Sequence, residues 1–239
     1  MPAEHIVKSY DEELSRLSNM VVEMGGLAES QLASAIEAVA KRDSALAARV
    51  VEGDAKVDEL ERELDNLAIR LFALRQPMAR DLREIFAALK IGSDLERICD
   101  YAANVAKRSI ALSQTPPIQP VHALPRMASL ALQQVKDVID AFVGKDADKA
   151  LEVWRRDEEL DEMYSSIFRE FLTYMMEDPR NIGACTHLLF MAKNIERIGD
   201  HATNIAEDLY YLVHGTPLTE IRPKGDKSSF ELVAPAGPQ

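Results

Sequence analysis

The chain has 239 residues and a mass of 26.6 kDa, which is enough for one large domain or two of about 100–120 residues. Forty acidic and 28 basic side chains give a formal charge of −12, which argues against a direct nucleic-acid partner because phosphate backbones require a basic surface. Only 6% of the residues are aromatic, two cysteines cannot form a disulfide framework, and neither a signal peptide nor a membrane-spanning apolar run is evident, so we expect a soluble, all-α cytoplasmic protein.

The hydrophobic periodicity predicts six long helices, over residues 4–41, 44–75, 78–112, 121–143, 146–176 and 180–213. Asp43 and Asp146 are placed to cap the second and fifth helices, and Pro77 and Pro179 to start the third and sixth. Three prolines within Ser113–Pro120 interrupt the pattern.

These breaks predict three parts of the chain. The first three helices would form one bundle over 4–113, and the last three a second bundle over 120–214. From Gly215 the sequence loses its periodicity, so 215–239 is predicted to be a mobile tail.

The second half of the chain repeats the first. Asp43, for example, recurs 103 positions later as Asp146, together with neighbouring apolar residues. In the third helix of each half the offset is 100, and segments 94–107 and 194–207 are identical at seven of fourteen positions. The sequence therefore predicts a tandem duplication of two antiparallel three-helix bundles.

Pairs of acidic residues four positions apart occur at equivalent places in both halves. This spacing puts two carboxylates on one helix face, where like charges repel by about 0.2–0.5 kcal/mol unless a cation lies between them. An acid-rich chain contains such pairs by chance, and any single pair ordinarily indicates a solvated helix face. Their recurrence on two helices of each bundle predicts two clusters. The first carboxylate cluster comprises Asp54, Asp58, Glu96, Asp100 and Asn104, and the second Asp157, Asp161, Glu196, Asp200 and Asn204.

The helical period also predicts where the clusters lie. Ile91, Ile98 and Val105 form an apolar stripe, and Glu96 and Asp100 lie nearly opposite it, as do their counterparts in the second half. We therefore expect both clusters on exposed surfaces outside the bundle interiors. Sites lined only by oxygen select hard cations such as iron, Mn²⁺ or Mg²⁺, and several carboxylates together suit a multinuclear site.

Two further classes of protein could carry such acidic pairs. A di-metal carboxylate enzyme of the ferritin type needs Glu-x-x-His pairs, and no histidine of this chain has a glutamate three residues before it. A plain helical adaptor would carry its acids for solubility alone and bind no metal. With no nucleophile at a recognisable spacing and no Gly-rich phosphate loop, no catalytic residue is predicted.

Three stretches, Leu74–Arg83, Asp94–Asp100 and Asn194–Ala206, resemble the PhoU family and occur in that family's order. The resemblance extends over about residues 5–213 and includes the duplication. It implies a fold of two three-helix bundles and multinuclear metal clusters, iron in some members, on the acidic pairs. Those pairs are Asp54/Asp58, Glu96/Asp100, Asp157/Asp161 and Glu196/Asp200.

The same resemblance implies a regulatory role. PhoU proteins are non-enzymatic cytoplasmic negative modulators that link the ATPase subunit of the phosphate ABC transporter to a phosphate-sensing histidine kinase, and they reach the membrane only through such partners. Homodimers or higher oligomers are common in the family. In this chain Cys99 and Tyr101 of the first motif stand where the second has Gly199 and His201. If metal binding depended on that glycine or histidine, the second cluster would be the one favoured.

Overall fold

The computed structural model describes residues 2–75, 77–116, 123–220 and 222, and all regular structure within them is helical. The seven α-helices of this part of the chain are α1 (Pro2–Lys41), α2 (Ser44–Arg75), α3 (Ala79–Ser113), α4 (Ala123–Gly144), α5 (Ala147–Arg155), α6 (Asp157–Glu177) and α7 (Ile182–His214). A single 3₁₀ turn over Pro179–Asn181 precedes α7. The prediction of an all-α chain of long helices is confirmed.

The turn after the first helix of each half is built in the same way. Arg42 and Lys145 adopt the left-handed backbone conformation, with φ angles of 55° and 50°. Oδ1 of Asp43 then accepts hydrogen bonds from two backbone N–H groups of α2, at 3.0 and 2.9 Å. Oδ1 of Asp146 does the same for α5, at 3.1 and 3.0 Å. Both predicted N-caps are confirmed.

The prediction of one continuous helix over 146–176 is wrong, because α5 and α6 are separated at Arg156. The guanidinium Nη2 of Arg156 lies 2.6 Å from Oδ2 of Asp137 on α4, and this ion pair accompanies the break. In the first half α2 runs unbroken through the corresponding residue, Gly53, whose carbonyl accepts a hydrogen bond from Gln31 at 3.1 Å. No proline or glycine marks the break at Arg156, so the sequence pattern could not show it.

The two halves share one core. Helices α1, α2 and α3 pack together, as do α4 to α7, and the halves meet along α3 and α7 and between α1 and α4. Ile91, Ile98 and Val105 of α3 are fully buried, which confirms the predicted apolar stripe. Within the described residues, none of the helices is both long enough and apolar enough to cross a bilayer.

Candidate metal sites in two carboxylate clusters

The first carboxylate cluster lies where α2 and α3 run side by side. Asp54 and Asp58 project from α2 and Asp100 from α3, and all three are half-buried. Burial raises the pKa of Asp54, and the charges of Asp58 and Asp100 raise it further, against a smaller lowering by Lys107. The structure therefore brings together carboxylates from two helices, as the repeat predicted.

Glu96 and Asn104 complete this group on α3. Burial raises the pKa of Glu96, and the charges of Glu61, Asp100 and Asp58 add to the rise while Arg97 opposes it. The Nδ2 of Asn104 donates to Oδ1 of Asp100 at 3.4 Å. Glu61 was not among the residues predicted for the first cluster. It lies one turn after Asp58 on α2, and this spacing could have indicated that it belongs there.

The second carboxylate cluster is much less exposed than predicted. Asp157, Asp161 and Glu196 expose only 1%, 4% and 5% of their surfaces, so the expectation of an exposed surface site is wrong for these residues. The periodicity identified the apolar face of each helix, but α7 packs against α3, α4, α5 and α6 and is covered on further faces. Asp157 also accepts a hydrogen bond from the hydroxyl of Thr203 at 3.2 Å.

Glu196 is the carboxylate most strongly affected by this burial. Burial raises its pKa to about 7, with further rises from Asp200 and Asp161, although Lys193 opposes them. Nζ of Lys193 lies 2.7 Å from Oε1 of Glu196. The other oxygen, Oε2, is buried and has no hydrogen-bond partner among the described residues. One acceptor in this cluster is therefore open to a cation.

Arg222 lies in the second cluster and was not predicted to be there. Its Nε donates to Oδ2 of Asp157 at 2.8 Å and its Nη2 to Oδ1 of Asp200 at 2.6 Å, and 16% of its side chain is exposed. Burial by itself would lower the pKa of this guanidinium, but Asp157, Asp200 and Glu207 raise it. Arg222 belongs to the predicted tail, whose residues 221 and 223–239 lie outside the described residues. A lone arginine in an aperiodic segment gave no signal of this contact.

The residues that distinguish the second motif act in packing. A Cβ added to Gly199 would lie 2.2 Å from Cδ2 of Leu160, so this glycine allows α6 to approach α7 closely. His201 Nδ1 lies 2.7 Å from Oδ1 of Asp94 on α3, and Nδ2 of Asn204 donates to that same oxygen at 3.4 Å. His201 and Asn204 thus face the first half of the chain.

The donor chemistry of both clusters fits a hard cation. Among the described residues, no three or more His, Cys, Asp and Glu side chains already converge in a metal-binding arrangement. The observations that favour a cation are the mutual repulsion of Asp54, Asp58 and Asp100 and the unpartnered Oε2 of Glu196. In the second cluster, Arg222 already supplies one positive charge.

Known proteins match nearly the whole chain. Residues 21–109 and 124–209 each match the family model described as PhoU domain, one match in each half of the repeat. A phosphate-specific transport system accessory protein PhoU homolog from Caulobacter vibrioides is 54% identical over 224 residues, which are 93% of this chain and 97% of the relative. A protein of the same name from Rhizobium meliloti is 50% identical over 226 residues, covering 94% and 95% of the two chains.

The fold also matches solved structures. The crystal structure of PhoU from Pseudomonas aeruginosa superposes with a TM-score of 0.85 at 40% identity and covers 87% of this chain and 100% of that one. The phosphate transport system regulatory protein PhoU from Streptococcus pneumoniae gives a TM-score of 0.82 at 28% identity, covering 88% and 100%.

Proposed function

The chain belongs to the PhoU family, and we propose that it serves phosphate-specific transport as an accessory protein that regulates by binding and catalyses no reaction. The observation that carries this proposal is the full-length similarity to accessory proteins of the phosphate-specific transport system, with a PhoU domain in each half.

We propose that this binding is inhibitory. When phosphate is plentiful, the protein would restrain both the ATPase subunit of the phosphate ABC transporter and a phosphate-sensing histidine kinase of the starvation response. It would act from the cytoplasm, as a homodimer or higher oligomer, and reach the membrane only through these partners. The resemblance supports this proposal, and the strongly acidic composition is compatible with docking on basic partner surfaces.

Deletion of the encoding gene tests the regulatory proposal in cells. Uptake of radiolabelled phosphate and a starvation-promoter reporter would be measured in phosphate-rich medium, with and without the gene restored. We expect both readings to rise on deletion and to return to normal on restoration. Unchanged uptake and reporter activity would overturn negative regulation, and direct binding of the purified chain to the ATPase subunit and to the kinase would identify which partner it restrains.

The carboxylate clusters are proposed to hold hard cations. Asp54, Asp58, Glu96 and Asp100 would bind in the first cluster, with Asn104 beside them. In the second cluster the ligands would be Asp157, Asp161, Glu196 and Asp200, whereas the side chain of Asn204 donates to Asp94 of the first half. A bound cation would neutralise the acids and could attract an anion to the same surface. The residues themselves hold the oxygens in place on neighbouring helices and, in the second cluster, shield them from water.

Metal analysis of protein purified without chelator tests these sites. The first-cluster variant Asp54→Asn/Asp58→Asn should lose metal while its helical circular dichroism is unchanged. Glu170→Gln, an exposed acid on α6, is the control and should keep the metal content of the parent. Equal metal content in all three proteins would overturn the assignment of the first cluster.

A helical adaptor without metal is the second candidate. It is favoured by Arg222, which already neutralises part of the second cluster through Asp157 and Asp200. Under this alternative, the purified protein contains no stoichiometric metal, and yet restoring its gene returns phosphate uptake in the deletion strain to normal.

A further inference from the structure

The segment after α7 turns back along the protein. Gly215, in the left-handed conformation with φ of 75°, ends the helix, and its N–H donates to the carbonyl of Tyr211 at 2.8 Å. Leu218 then packs against the hydrophobic core. The chain leaves α7 by a defined turn and is anchored by an apolar contact before it reaches Arg222.

The return path has the length that the contact requires. A helix that rises 1.5 Å per residue carries the chain about 21 Å from Asp200 to His214. An extended segment from His214 to Arg222 can cover about 26 Å in the opposite direction. Arg222 can therefore reach back to Asp200, and its guanidinium spans from that residue on α7 to Asp157 on α6.

The Arg222 guanidinium occupies two of the carboxylate oxygens that the second cluster offers to a cation. It contacts one oxygen of Asp157, a side chain that is 1% exposed, and one oxygen of Asp200. Its side chain is itself largely buried, with 16% exposed. A metal cation that bound to Asp157 and Asp200 would therefore compete with the guanidinium of Arg222 for the same acidic site.

We propose that Arg222 is a tethered counter-cation of the second carboxylate cluster, and that metal binding there displaces Arg222 and releases the segment that carries it. This inference rests on the proposed function, because it takes the second cluster to be a cation site. In the first cluster, Nε of Arg97 lies 3.5 Å from Oε2 of Glu96, but Arg97 belongs to α3 itself, so cation binding there would release no segment. The two repeated sites thereby differ, and the second couples cation binding to the position of the C-terminal segment.

Competition between Arg222 and the cation determines by how much the affinity of the second cluster for the cation falls. Hydrogen bonds between charged groups are among the stronger ones in proteins, so the Arg222-free state is a minor population. Apparent cation affinity falls in proportion to that population, which gives a Kd about 10- to 100-fold higher than with the arginine removed.

The test isolates the second cluster in full-length protein carrying Asp54→Asn/Asp58→Asn. Mn²⁺ would be titrated by calorimetry into this parent, into Arg222→Ala, and into the control Arg180→Ala, which removes an arginine paired on the surface with Asp178. We expect Arg222→Ala to lower the Kd for Mn²⁺ by about 10- to 100-fold and Arg180→Ala to leave it unchanged.

A second readout follows the segment directly. Cys99 and Cys185 are both buried, so a fluorescent label on Glu220→Cys reports on this segment alone. Its anisotropy should fall as Mn²⁺ is added, with the same midpoint as the calorimetric binding. In Arg222→Ala the anisotropy should be low before any Mn²⁺ is present.

Failure of the displacement proposal and failure of the proposed metal sites would give different results. Mn²⁺ binding with the same Kd in parent and Arg222→Ala, or with unchanged label anisotropy, would overturn the displacement and leave the proposed metal sites standing. Absence of Mn²⁺ binding in every variant, and in the chain with both clusters intact, would overturn the metal sites and the displacement together. Circular dichroism of each variant would confirm that it is folded.

Discussion

Nδ1 of His201 lies 2.7 Å from Oδ1 of Asp94, and this contact joins α7 of the second half to α3 of the first. The ring of His201 is also 5.6 Å from that of Tyr101, its counterpart in the repeat. Equivalent positions of a duplicated chain thus meet at the junction of its halves. The histidine at position 201 serves this junction, because its Nδ1 lies within hydrogen-bond distance of Asp94.

We expect the pair to contribute to stability at this junction. A double-mutant cycle with Asp94→Ala and His201→Ala should give a coupling energy of about 1 kcal/mol, since both side chains are largely buried. The same cycle on Asp178 and Arg180, a pair at the protein surface, should give a smaller coupling energy. Urea denaturation at pH 7 measures both, and equal coupling in the two cycles would contradict this role.

The close approach at Gly199 gives a second prediction. Gly199→Ala puts a Cβ 2.2 Å from Leu160, so it should destabilise the protein by about 1–3 kcal/mol. Gly26→Ala is the control, because nothing lies within 4 Å of its added Cβ and alanine should stabilise α1 by about 0.5–1 kcal/mol. Fluorescence of Trp154, the only tryptophan, reports unfolding. A harmless Gly199→Ala would show that α6 can shift away.

Gly199 also shows which features of the site could be predicted from the sequence and which could not. The repeat located the motif, the helix and the partner helix, because helical period and matched spacing are properties of the local chain. The difference between Cys99 and Gly199 was visible too, but its cause was not. That cause is the position of Leu160 on another helix, and a contact between helices leaves no local pattern.

The second cluster shows the same limit for burial and charge. Local periodicity placed Asp157 and Glu196 away from the apolar stripes, yet each is buried by helices that a single-helix projection does not contain. The contact of Arg222 with Asp157 joins residues 65 positions apart, and one arginine in an aperiodic segment carries no information about its partner.

The ion pair at the break between α5 and α6 predicts sensitivity to acid. Burial acts to raise the pKa of Asp137, but hydrogen bonds from Arg156 and Gln133 and nearby positive charges outweigh it and lower the pKa. The stabilisation is therefore present above the unfolded pKa of about 3.9 and is lost as the pH falls through the lower folded value.

Asp137→Asn tests this dependence. At pH 7 the parent should be more stable than the variant by about 1–3 kcal/mol, because the variant loses the ionic character of the hydrogen bond that Arg156 donates to residue 137. The difference should stay constant down to about pH 5 and shrink below about pH 4. Urea denaturation across pH 3–7 measures it, and a difference that grows in acid would have the wrong sign for a lowered pKa.

Repulsion among the carboxylates of the first cluster should make the stability of the protein depend on whether cations are present. Asp54 is near Asp58 and Asp100, whose charges disfavour its ionised form. Asp54→Asn removes one of these charges and should stabilise the chelator-treated protein by about 0.5 kcal/mol.

With Mn²⁺ present, the order of the two proteins should reverse. A ligand that binds only the folded state stabilises it by about 2.7 kcal/mol at a hundredfold excess over its Kd. The parent should gain this amount from the first cluster and Asp54→Asn should lack it, while any gain from the second cluster is common to both proteins. Glu170→Gln removes an exposed charge from α6 and should respond to Mn²⁺ as the parent does. If parent and Asp54→Asn gained equally, the stabilising cation would lie elsewhere, and the repulsion around Asp54 would be an uncompensated cost of packing α2 against α3.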